Sequence, residues 1–97
     1  MNMHQVFAVP VIDLNATGEN IRNMRQSAGI SVRELQQILG FANPQAIYKW
    51  QNGECLPAID NLVILSAVFG VAMDQILVIK RNQIAAKAFS RASAAII

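Results

Sequence analysis

Two helix-start signals and two helix-stop signals crowd into the short stretch from Ser31 to Gly53, and no other feature constrains this chain as much. SVRE sets Ser31 three residues before Glu34, the spacing of a capping box in which each residue satisfies an amide at the other's end of the turn. Leu35, Ile38 and Leu39 carry an apolar face on to Gly40, and Ile30 stands where it can staple onto Leu35. A brief turn, FAN, follows. Asn43 is then expected to cap a second helix with Pro44 at its first position, where a missing amide is tolerated. That helix reads PQAIYKWQN and stops at Gly53. Ile47 and Trp50, three apart, face inward, with Trp50 read as core; Gln45, Tyr48, Lys49 and Gln51 are placed on the other side.

The flanking sequence supplies the rest of a helical domain. Asp13 is a good cap for a helix over about 14–28, with Leu14, Thr17, Ile21, Met24 and Ala28 on one stripe and Gly29 as its stop. After the loop ECLP, a fourth helix is expected over 58–69, with Ile59, Leu62, Leu65, Ser66 and Phe69 as its main inward stripe. Val63, Ile64 and Val68 make that helix apolar on nearly all sides, so it must be covered on more than one side. A fifth helix over 73–79 turns Met73, Ile76 and Leu77 inward. The expected fold is therefore all-α, with five helices over 13–79. An N-terminal arm, 1–12, is read as a partly ordered tail in preference to an edge strand, since Pro10 lacks a ladder donor. A basic, Ala-rich extension, 80–97, is expected to be helical or frayed.

Composition narrows the function. The 97 residues are one domain's worth, too few for a deep cleft between domains. Only 14% are charged against 54% hydrophobic, which leaves little polar surface and favours self-association. The net charge of +2 permits nucleic-acid binding without arguing for it. Cys55 and His4 are the only residues of their types, which fits a reducing cytoplasm and leaves no Cys/His cage for zinc. No secretory signal is visible, and the apolar run 62–73 is too short for a membrane helix, which needs about 20 residues. The carboxylates sit at helix starts, as Asp60 and Asp74 do, where they serve the helix dipole. No phosphate-cradling glycine loop is present. No catalytic residue, metal ligand or cofactor is expected.

Two short capped helices across a tight turn form a helix-turn-helix, in which the first props the second so that its polar side chains enter a major groove about 12 Å wide. Inward Leu35, Leu39, Ile47 and Trp50 make the prop; Gln45 and Lys49, four apart with Asn43 at the leading end, make the reader. The run from IRNMRQSAGIS through VRELQQILG and PQAIYKWQNG to FGVAMDQIL resembles the XRE family, the Cro and phage-repressor type, over about residues 17–77. The resemblance implies a lambda-repressor-like five-helix fold in which Asn43, Pro44, Gln45 and Lys49 read bases. It also implies that amides at Ser31 and Val32 meet a phosphate and that Asn52 and Gly53 approach the backbone again. Arg22, Arg25, Arg33 and Tyr48 are further candidates for phosphate contact. Three features depart from the family pattern: Gln36 where a small residue is usual, a turn one residue longer than the commonest, and Glu54 where basic residues are common. The implied activity is a transcriptional regulator, a repressor, binding double-stranded DNA as a homodimer in a bacterial or phage-derived cytoplasm, nucleoid-associated. The rival reading keeps the fold but makes it an antitoxin with a toxin partner, or a protein–protein adaptor.

Overall fold

The structure is a computed structural model and describes residues 7–84. Its helical unit spans Ile12–Val78 and contains α1 (Leu14–Ser27), α2 (Val32–Leu39), α3 (Gln45–Gln51), α4 (Ile59–Phe69) and α5 (Met73–Ile76). Separately, β1 (Phe7–Ile12) and β2 (Ile79–Ile84) pair as a two-stranded sheet. The five helices agree with the expected class, and the sheet is a small addition to it. Over residues 7–12 the arm is a strand rather than a loose tail, and residues 79–84 are a strand rather than helix or fray. The rest of both extensions, 1–6 and 85–97, lies outside the described residues.

Local chemistry sets most helix ends. The Asp13 carboxylate accepts from the Ala16 amide at 3.0 Å and starts α1. The capping box is complete at α2: Ser31 Oγ accepts from the Glu34 amide at 3.0 Å, and Glu34 Oε1 accepts from the Ser31 amide at 3.1 Å. Gly40, at φ 73°, supplies the left-handed residue that ends α2. The fifth helix is shorter than expected because Leu77 turns extended and its successor is claimed by α1. Val78 N–H donates to Thr17 Oγ1 at 2.9 Å, and Asp13 N–H donates to the Val78 carbonyl at 2.8 Å. Asn20 adds donations from Nδ2 to the carbonyls of Gln75 and Ile76 at 2.8 and 2.9 Å.

The core gathers Ile21, Leu35, Ile47, Trp50, Leu62, Leu65 and Ile76. Those seven come from all five helices, so each helix buries a face against the same centre. Gly18 explains how α1 and α3 come so close. A β-carbon there would lie 2.7 Å from the Gln51 carbonyl oxygen and would also overlap that of Trp50, so only glycine fits. Two expected core positions on α4 and α5 are instead on the surface: Ile59 is 78% exposed and Met73 42%. Neither α4 nor α5 has a side-chain hydrogen bond from a Ser, Thr, Asp or Asn cap residue; Ala58 and Ala72 stand there. Among the described residues, no helix is long and apolar enough to cross a membrane.

Candidate nucleic-acid interface

α2, the turn after it and α3 form one surface. Buried Leu35 and Ile47 and nearly buried Trp50 lock the two helices to the core, with Leu39 half-buried beside them. On the opposite side of α3, Gln45, Tyr48 and Lys49 are exposed, as is Asn43 just before it. At about 100° per residue, Gln45 and Lys49 lie within about 40° of each other, so both side chains leave α3 in nearly one direction. Pro44 is half-buried and occupies the cap position itself, not the first helical turn. Asn43 therefore acts one residue further out than expected: its Oδ1 accepts from the Gln45 amide at 3.1 Å, a local turn bond that serves as the cap. A polar cleft of about 430 Å3 runs between the helices, lined by Val32, Arg33, Gln36, Pro44 and Tyr48.

The candidate backbone contacts fall around this face with different freedom. Arg33 and Asn52 are exposed, Asn52 capping α3 at its C-terminal end, while Arg22 on α1 is half-buried. Val32 opens α2, where amides lack partners within the helix. Ser31 stands exposed at the cap, but its amide is already held by Glu34 and its hydroxyl by the Glu34 amide. Hydrogen bonding to the Glu34 carboxylate from Ser31, its backbone amide first and its side chain second, holds that carboxyl below its ordinary value, so the start of α2 carries a negative charge of its own. Glu54 adds an exposed carboxylate after α3.

Two side chains behave differently from the sequence expectation. Gln51, expected on the outward face, is 5% exposed, and its Oε1 accepts from Arg25 Nε at 3.0 Å. Helical arithmetic carries the signal: Gln51 lies within about 40° of inward Ile47. Arg25 also donates from a terminal nitrogen to the Ile30 carbonyl at 2.8 Å, so it is a brace between α1, α3 and the start of α2. Gln36, an oddity in the sequence, donates from Nε2 to the Phe41 carbonyl at 3.2 Å and thereby fastens the long turn. Among the described residues, no three His, Cys, Asp or Glu side chains gather as a metal site would require.

Residues 21–76 match the helix-turn-helix family model. No curated protein matches the chain in sequence. Several solved structures share the fold. The P22 c2 repressor protein, in complex with synthetic operator 9T, is 31% identical with a TM-score of 0.58, covering 63% of this chain and 91% of its own. The restriction-modification controller protein C.AhdI from Aeromonas hydrophila is 19% identical with a TM-score of 0.59, covering 66% of this chain and 96% of its own. The fold also makes up part of a longer chain, that of cobalt(II) HppE in complex with substrate. There the identity is 19% and the TM-score 0.60, over 68% of this chain and 36% of that one.

Proposed function

The chain belongs to the helix-turn-helix family of the Cro and phage-repressor (XRE) type, a class of DNA-binding transcriptional regulators, and from that premise we propose that it represses transcription by reading a specific duplex sequence with α3. One observation carries the reading. The polar face of α3 is exposed where Gln45 and Lys49 project, directly behind a buried Ile47–Trp50 anchor. A seven-residue helix held this way has its position fixed by the core and its outer side chains left for base edges.

Asn43, Pro44, Gln45 and Lys49 are the base-facing set. Gln45 is the group suited to a bidentate bond with adenine, worth roughly 1–3 kcal/mol of discrimination. Val32, Arg33, Tyr48, Asn52 and Arg22 face the sugar–phosphate ridges, with Ser31 supporting the start of α2 through its capping box. The protein acts as a dimer on half-sites about 34 Å apart, one turn of the duplex. The apolar band of Ile59, Val63 and Met73 supports a protein interface on the α4–α5 side. Beside it opens a groove of about 700 Å3 lined by Leu56, Leu62 and Leu77 among others. A cytoplasmic, nucleoid-associated setting goes with this role.

Selection of bound sites from a random DNA pool tests the reading. Paired half-sites of opposite orientation are expected. Gln45→Ala should relax the preference at one or two positions, and Lys49→Ala should weaken binding overall. Unchanged affinity and unchanged preference in both variants would remove α3 as the reader. No duplex binding at low salt, with retention of a protein partner, would favour the antitoxin or adaptor.

A further inference from the structure

We propose that Gln36 is a positioning residue that sets the roll of α3 about its own axis, and so decides which base edges Gln45 and Lys49 meet; this rests on the DNA-reading role proposed above. Gln36 holds Phe41 at two points. Its carbonyl accepts from the Phe41 amide at 3.0 Å, and its side-chain Nε2 donates to the Phe41 carbonyl at 3.2 Å. The first bond fixes where the turn leaves α2; the second fixes how Phe41 is rotated. The Phe41 ring then meets Trp50 edge-on, centroids 5.8 Å apart and planes at 68°. Trp50 belongs to α3, so the orientation set at Gln36 reaches the reading helix through one aromatic contact.

Ile47 and Trp50 anchor α3 in the core, and side-chain hydrogen bonds add little to that anchor at the helix start. The cap residue, Pro44, makes no side-chain cap bond, and the bond from Asn43 is local to the turn. The cleft of about 430 Å3 between α2 and the beginning of α3 leaves α3 space to shift toward α2. The geometry is demanding. A roll of about 10° moves a side-chain tip some 5–6 Å from the axis by about 1 Å. An N–H···O bond tolerates donor–acceptor distances of only about 2.7–3.2 Å. A small error of roll therefore breaks a bidentate base contact while leaving phosphate contacts, which accept many geometries, nearly intact.

Gln36→Met in the full chain keeps the length of the side chain and removes its donor. Two readouts decide. The first is the ratio of affinities for a pool-selected duplex and a scrambled one. It is expected to fall about tenfold while affinity for the scrambled duplex and its salt dependence stay the same. The second is the near-ultraviolet circular dichroism of Trp50, the only tryptophan, taken without DNA. It is expected to change while the far-ultraviolet helical signal is retained. An unchanged ratio overturns the proposal, and so does an equal loss on both duplexes, since that marks a merely structural role. If the unsubstituted protein prefers no sequence, the DNA-reading role is lost and the base-selection part of this proposal with it. An altered Trp50 signal then still upholds the orienting tie, and an unaltered one overturns it.

Discussion

Thr17 shows how much one hydroxyl carries in this fold. It is 1% exposed, on α1, and its Oγ1 accepts from the Val78 amide at 2.9 Å. That amide has left α5 and has no helical partner, so the threonine supplies its acceptor at a half-buried position. Thr17→Val keeps the shape and deletes the acceptor. The expected cost is about 1 kcal/mol, that of a lost hydrogen bond at a half-buried position, read as a lower urea midpoint with an unchanged slope. A midpoint equal to that of the unsubstituted protein would show that the hydroxyl is incidental. The same residue shows a limit of periodicity. Spacing predicts that Thr17 faces inward, which it does, but says nothing of a bond to Val78, whose place depends on where α5 stops. The roles of Gln51 and Gln36 escape periodicity for a like reason. Their roles come from Arg25 and Phe41, neither of which a local pattern connects to them.

Elements whose ends are set by neighbouring residues were legible in advance. Asp13, the Ser31–Glu34 box and Gly40 are local devices: the first starts α1, and the other two start and end α2. β2 was not legible, because its strand partner, β1, is at the other end of the chain and the run from Ile79 to Ile84 lacks strict alternation. The exposed side of α3 was legible because an amphipathic period survives even in seven residues; its cap was shifted by one because Asn43 bonds within the turn. At α2 the capping box makes a pH prediction. The Glu34 carboxyl is held below its ordinary value of 4.5 by hydrogen bonds from Ser31, so the folded state favours the ionised form. Its contribution is present above the unfolded carboxylate range and is lost as pH falls through the lowered folded value. Glu34→Gln keeps an acceptor for the Ser31 amide without ionising. Its melting temperature should therefore fall less than that of the unsubstituted protein between about pH 5 and about pH 3. Parallel declines would show that the carboxylate contributes nothing.

At the scale of the whole molecule, the helical unit solves its burial problem on one side only. Leu62 and Leu65 close the core, while Ile59, Val63 and Met73 remain in water. If two copies meet there, Ile59→Asp should convert a dimer into a monomer in sedimentation experiments without unfolding it. The side chain is 78% exposed, and a carboxylate in the first turn of α4 suits the helix dipole. Sedimentation unchanged by the substitution would place the interface elsewhere.

The stitching of α1 to the segment after α5 has a further consequence. Asp13 and Val78 are bonded backbone to backbone, so residues 13–78 form a loop of chain whose entry and exit are hydrogen-bond neighbours. A module with adjacent ends can be spliced into a surface turn of a host protein without prying that host apart, and its own ends can be joined and reopened elsewhere in its loops.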